Sequence, residues 1–215
     1  MPAFESEHVQ QFEIGDYKNF IYLVSDPVLK KSAIIDPQED VTAPLAYLEK
    51  TGFVLAAILL THTHHDHTAG VPVLLARNPE LPVYVHEKDL RRMNLKGDVR
   101  KIVDGDIIPI GNLKIRVMHT PGHSSGECTY FLDAKQQYVF TGDTLFIRDC
   151  GRTDLDSGSN DEMFASLQKI KALPPDTVIL PGHHYREEYF SSLKAELRDS
   201  PPLRCKDVHE LAALP

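Results

Sequence analysis

The run Thr61 to Gly70 reads T-H-T-H-H-D-H-T-A-G and sets four nitrogen and oxygen donors, His62, His64, Asp66 and His67, within six residues. Imidazole and carboxylate ligands together suit borderline ions such as zinc, iron(II) and manganese. A tight loop can aim His62 and His64 one way and Asp66 and His67 the other, which suits two ions sharing one site. Four side chains cannot fill two coordination spheres. The missing donors are expected from His123 and His183, with Asp143 placed to bridge. One ion would then have three histidines and a carboxylate, and the other two histidines and two carboxylates. Positions left open for water or substrate mark a catalytic ion, and no Cys-x-x-Cys pair offers a closed structural zinc site. The chain has 11 histidines, an uncommon load for a residue that is costly in a core and is the commonest metal ligand. His8, His86 and His209 read as ordinary surface or core residues. His65, His119 and His184 read as neighbours that support the ligands.

The elements that must position these donors follow from the apolar patterns. Val9 to Ile14, Asn19 to Val24 and Ser32 to Ile35 alternate as short strands, broken at Gly15-Asp16 and Asp26-Pro27. Thr42 to Lys50 reads as a helix ended by Gly52, and Ala56 to Leu60 as a strand that stops where the histidines begin. Val71 to Ala76 is a predicted helix, Val83 to Val85 a strand, and Asp104-Gly105-Asp106 a turn. Leu113 to Met118 is a strand running into Thr120-Pro121-Gly122-His123. Cys128 to Leu132 and Tyr138 to Phe140 form a hairpin that ends at Thr141-Gly142-Asp143. Asp161 to Lys171 is an amphipathic helix, and Thr177 to Leu180 a strand leading to Pro181-Gly182-His183. Tyr189 to Leu197 and Cys205 to Leu214 are predicted closing helices. Four strand-like runs therefore end in turns that carry His62, His123, Asp143 and His183, and strand-end side chains on a rigid scaffold can converge. The class is α/β, with sheets packed inside helices.

Bulk composition bounds the rest. With 215 residues, 42% of them hydrophobic and 25% charged, the chain is expected to form one domain over 1–215. A net charge of -8, with only the isolated pairs Lys30-Lys31 and Arg91-Arg92, argues against nucleic acid and against anionic membranes as partners. The longest apolar run, Phe53 to Leu60, is far short of a membrane span, and the acidic N-terminus lacks the features of a signal peptide. Three scattered cysteines, Cys128, Cys150 and Cys205, do not make a disulfide framework, so a reducing cytoplasm is expected. Assembly into a homo-oligomer is compatible with the sequence.

These motifs resemble the metallo-β-lactamase superfamily over nearly the whole chain. Its T-H-x-H-x-D-H signature is Thr61 to His67, its T-P-G-H is Thr120 to His123, its G-D is Gly142-Asp143, and its G-H is Gly182-His183, in the family's order. The resemblance implies a four-layer αββα sandwich with a metal site at one edge of the two sheets. Within the superfamily, Thr141 to Phe146 and Gly182 to Tyr185 are similar to the glyoxalase II branch. That branch normally carries a longer helical C-terminal part that helps hold glutathione, whereas 32 residues follow His183 here. Ile147 to Asp154 and the tail from Tyr185 to Leu203 look closer to the persulfide dioxygenases, whose motif has an acidic residue where His184 stands.

Two chemistries follow from one ligand set. In a hydrolase, two zinc or iron ions would lower the pKa of a water to about 7 and polarise a thioester carbonyl, with Asp66 and Asp143 as the carboxylates that hold ions and orient the nucleophile. The resemblance then implies a small glutathione-type thioester as substrate. In a dioxygenase, one iron(II) would sit on His62, His123 and Asp143 and oxidise glutathione persulfide. The resemblance would place Arg152 and Tyr185 near the glutathione; the alternatives are a surface ion-pair arginine and a packed tyrosine. The hydrolase is the preferred reading.

Overall fold

The computed structural model describes residues 2–90 and 97–214; Arg91 and Arg92 lie outside them. The first sheet runs in chain order through β1 (Phe4–Glu5), β2 (Val9–Ile14), β3 (Asn19–Asp26), β4 (Lys31–Ile35), β5 (Val54–Leu59), β6 (Val83–His86) and β7 (Val99–Ile102). The second is built from β8 (Ile107–Ile110), β9 (Leu113–His119), β10 (Cys128–Leu132) and β11 (Tyr138–Gly142). A small separate hairpin follows, β12 (Leu145–Phe146) with β13 (Asp149–Cys150), before β14 (Val178–Pro181) and β15 (Ser191–Ser192) complete the second sheet in the order β15-β14-β11-β10-β9-β8. The helices are α1 (Thr42–Thr51), α2 (His65–Thr68), α3 (Val71–Arg77), α4 (Asn160–Lys171), α5 (Leu193–Asp199), α6 (Pro201–Arg204) and α7 (Val208–Ala212).

Period-two alternation explains the layering. Phe20, Tyr22 and Val24 of β3 face the second sheet and pack with Ile115, Val117, Tyr130 and Phe140. Ile21 and Leu23, the alternate residues, face outward against Leu48 of α1 and Val71 and Leu74 of α3. On the far side, Phe131, Val139 and Ile179 of the second sheet pack against Met163, Leu167 and Ile170 of α4 and Leu193 of α5. Three apolar layers thus separate four structural layers, helix, sheet, sheet, helix, as the αββα expectation required.

Two predicted helices are corrected. Residues from Tyr189 do not start a helix: Ser191–Ser192 pairs with β14, and α5 begins at Leu193 with the Ser192 side chain accepting from the Ala195 N–H. The final predicted helix, Cys205 to Leu214, shortens to α7, capped by Asp207, and a separate turn of helix, α6, precedes Cys205. Strands β7 and β8 went unmarked because V-R-K-I and I-I-P-I lack clean alternation. Pro109 is tolerated because β8 lies at the sheet edge. Among the described residues no helix is long and apolar enough to cross a membrane.

One buried contact links the core to the histidine loop. The Tyr130 hydroxyl, in the second sheet, donates to the Leu60 carbonyl at 2.6 Å, directly before Thr61 and His62. Tyr130→Phe leaves that carbonyl without its partner, and a loss of about 1–2 kcal/mol in chemical unfolding is expected. Unchanged stability would show that the bond contributes nothing.

Candidate metal centre

Parallel pairing brings the catalytic edge together. β4 and β5 run parallel, so their C-terminal ends emerge side by side at Asp36 and Thr61. Thr61 donates its backbone N–H to Asp36 Oδ1 at 2.7 Å and its hydroxyl to Asp36 Oδ2 at 2.6 Å. β11 and β14 run parallel in the other sheet and deliver Asp143 beside His183, with Gly182 N–H bonded to Gly142 O. Cys128 N–H donates to Thr61 O at 2.7 Å and joins the two edges. Helix α4 supports the remaining turn: its cap residue Ser159 donates to Gly122 O, and Ser166 Oγ donates to Pro121 O. Gly122 has φ +145°, and a side chain there would collide with the Met163 backbone, so this T-P-G-H turn needs its glycine.

All seven predicted donors converge. His62 Nε2 and His123 Nε2 each lie 2.9 Å from His64 Nδ1, and these three could hold one ion. His67 Nε2 and His183 Nε2 are 3.1 Å apart, and Asp66 Oδ2 is 3.5 and 3.4 Å from them, a second set. Asp143 lies between the sets, with Oδ2 3.5 Å from His123 Nε2 and Oδ1 3.5 Å from both His67 Nε2 and His183 Nε2. The expected tight loop at 65–68 is a helical turn, which separates Asp66 and His67 from His62 and His64.

The outer nitrogens fix which way the lone pairs point. His123 Nδ1 faces the Arg152 carbonyl and His183 Nδ1 the Tyr17 carbonyl, each at 2.9 Å, so both Nδ1 atoms must donate. His67 Nδ1 faces the Asp36 carboxylate at 3.1 Å and donates too. For His62, the Thr61 hydroxyl has already given its proton to Asp36, so it accepts from His62 Nδ1 at 3.1 Å. Four Nε2 lone pairs therefore face inward at close range, beside Asp143 Oδ1, a buried carboxylate oxygen that lacks a hydrogen-bond donor among the described residues. A metal cation satisfies all of these atoms at once, and nitrogen with carboxylate oxygen fits zinc or iron(II).

The electrostatics of the metal-free pocket agree. Burial, aided by the neighbouring imidazoles, holds His62 well below the ordinary histidine range, and His64 is lowered in the same way. Burial would also lower His67, but the carboxylates of Asp143, Asp36 and Asp66 outweigh it and push it up to about 10. For Asp143, the cost of burial is outweighed by His67, His183 and His62, which keep it below the usual carboxylate range. Asp66 is lowered against its own burial by His67 and by the Asn19 amide, which donates to Oδ2 at 3.0 Å. Glu127 is pushed well above its usual range by burial and by the charge of Asp143. A cation in the pocket would reverse that last shift.

The two carrier-side predictions separate. Tyr185 stacks on the His183 ring at 4.8 Å and 8°, with Phe146 edge-on to both. Arg152 turns its exposed guanidinium to Asp154 at 2.6 Å, and it reaches the site through its backbone carbonyl alone. Five contributors escaped sequence reasoning: Asp36, Asn19 and Glu127 are scattered and lie outside any histidine cluster, and the carbonyls of Tyr17 and Arg152 carry no side-chain signal at all. His184, read as a neighbour of the ligands, bonds Glu13 and stacks on Tyr189.

Gly182 abuts this cluster so closely that an added Cβ would overlap Asp143 Oδ1. Gly182→Ala should therefore displace the carboxylate and cut turnover on the order of a hundredfold while leaving the far-ultraviolet circular dichroism unchanged. Wild-type turnover would show that Asp143 can move freely.

Comparison with known proteins gives the same direction. Residues 15–183 match the metallo-beta-lactamase superfamily. The hydroxyacylglutathione hydrolase of Cronobacter sakazakii is 39% identical over 197 residues, which is 91% of this chain and 74% of that protein. Among solved structures, ETHE1 from Myxococcus xanthus is similar with a TM-score of 0.85 and 27% identity, covering 96% of this chain and 92% of that one. TTHA1623 in a di-iron-bound form is similar with a TM-score of 0.74 and 32% identity, over 89% of this chain and 98% of that one.

Proposed function

Because the chain belongs to the metallo-beta-lactamase superfamily, we propose that it is a metal-dependent hydrolase of the hydroxyacylglutathione hydrolase type, with residues 1–215 as one domain that cleaves a small glutathione-type thioester. The observation that carries this is the division of Asp143 between two complete donor sets, one oxygen toward each. Two zinc or iron ions, when bound, would supply Lewis acidity and a water of lowered pKa. His62, His64 and His123 would hold one ion, His67, His183 and Asp66 the other, and Asp143 both.

The chain's own residues do the rest. Asn19 fixes Asp66 Oδ2 toward the shared space, where that carboxylate orients the attacking water against the carbonyl carbon. A thiolate leaves without needing a strong general acid, which fits the lack of a dedicated proton donor among the ligands. Tyr185, with its hydroxyl pushed up to about 12 by burial and by Asp143 and Asp66, stays a neutral donor beside the second donor set. It is assigned to the thiol-carrier side, together with Arg152, which would exchange Asp154 for a substrate carboxylate. The three cysteines are unpaired, which supports the cytoplasmic assignment.

A mononuclear iron(II) persulfide dioxygenase is the second reading. The structural likeness to ETHE1, with a TM-score of 0.85 over 96% of this chain, fits it. The two are separated by metal content and turnover of protein prepared anaerobically with both metals supplied. Two ions per chain with hydroxyacylglutathione cleavage are expected. About one iron per chain with persulfide-dependent oxygen uptake and no thioester cleavage would overturn the proposal.

A further inference from the structure

Glu127 is fully buried, yet one of its carboxylate oxygens, Oε2, has no hydrogen-bond donor among the described residues. The other, Oε1, accepts from the backbone N–H of Asp143 at 3.0 Å. Oε2 lies 3.4 Å from His62 Nδ1, just behind a ligand of the three-histidine set. A buried carboxylate oxygen without a donor is costly, so its retention calls for a partner, and His62 Nδ1 stands within ion-pair distance of it.

The neighbouring histidines show what that partner is. His123 and His183 give their outer N–H groups to neutral carbonyls, and His67 gives its own to the carboxylate of Asp36. Each donor set thus contains one histidine backed by a carboxylate: His67 by Asp36, and His62 by Glu127. His62 Nδ1–H has two acceptors in reach, the Thr61 hydroxyl at 3.1 Å and Glu127 Oε2. Ligation at Nε2 makes the Nδ1 proton more acidic and draws it to the stronger, anionic acceptor. Charge points the same way. Two divalent ions carry four positive charges, and Asp66, Asp143, Asp36 and Glu127 supply four negative ones. Among the described residues, the cations within ion-pair distance of these four carboxylates are histidines alone.

We propose that Glu127 is a positioning residue that accepts the His62 Nδ1 proton in the loaded enzyme and so strengthens the three-histidine site. The proposal rests on the metal-binding part of the reading above and extends it to a residue outside the ligand set.

The test uses the full chain, stripped with a chelator and reloaded with zinc. In the wild type, the His62 Nδ1 proton should resonate well downfield of those of His123 and His183, close to that of His67. Glu127→Gln keeps an oxygen for the Asp143 N–H and removes the charge. Zinc at the three-histidine site should then bind about tenfold more weakly or worse in competition with a chromogenic chelator, with the other site little changed. Glu127→Asp should recover part of the loss. The metal-free Glu127→Gln chain should melt no lower than the metal-free wild type; a clearly lower melting point would assign Glu127 to the fold instead. A wild-type His62 proton at the position of His123 and His183 would overturn the proposal, as would wild-type zinc affinity at both sites in Glu127→Gln. Since zinc binding is read without turnover, a wild type that loads two ions and cleaves no thioester would refute the hydrolase alone.

Discussion

Asp143→Ala should reduce thioester cleavage by about a thousandfold or more and yield a chain that no longer retains two ions. The size follows from position. Among the described residues, Asp143 is the one carboxylate with an oxygen facing each donor set, so its loss removes a ligand from both at once and leaves the inward lone pairs of His62, His123, His67 and His183 uncompensated at the centre. Removal of even one group that acts on developing charge costs about a hundred- to a thousandfold in other enzymes, and this change removes the shared anchor as well. Asp143→Asn separates shape from charge. It keeps the volume but gives up the anionic oxygens that face both donor sets, so it should also bind metal poorly. Metal analysis beside steady-state kinetics reads both effects. Equal activity in wild type and Asp143→Ala would contradict the site.

Chelation should abolish turnover and expose a pH dependence that the loaded protein lacks. With no ion present, His67 takes up a proton among Asp143, Asp36 and Asp66, which lifts it from its ordinary value of 6.5 to about 10. A raised folded value means that the protonated form stabilises the fold. That contribution is complete below about pH 6.5 and disappears as pH rises toward about 10. The loaded protein needs no proton there, because His67 Nε2 is a ligand, and metal competes with that proton for the same nitrogen. The melting-temperature gap between loaded and stripped protein should therefore widen across this window. At a free ion concentration a thousand times the dissociation constant, each occupied site adds about 4 kcal/mol. A gap that stays constant from pH 6.5 to 10 would show that His67 holds no proton in the empty pocket, and full-speed turnover after chelation would end the metal assignment.

The ligands and their strands were legible in the amino-acid order because both signals are local. His62, His64, Asp66 and His67 crowd one short run, and His123, Asp143 and His183 each follow a strand and a glycine turn. Period-two alternation marked β2, β3 and β9, and helical spacing marked α4. What escaped was whatever depends on chain segments meeting at a distance. Ser191–Ser192 looks like the start of a helix until β14 offers it a pairing edge. Glu127 is an ordinary acidic residue before Cys128 until the two sheets close and leave it buried behind His62. Asp36 closes a strand in the sequence, yet the parallel pairing of β4 with β5 makes it the acceptor for Thr61 and His67. Arg152 and Tyr17 contribute carbonyl oxygens, which every residue has, so no residue type could announce them. The sequence by itself determined which atoms can bind a cation. The tertiary structure decided which way each imidazole faces, because that is set by hydrogen bonds from partners that only the packed sheets bring within reach.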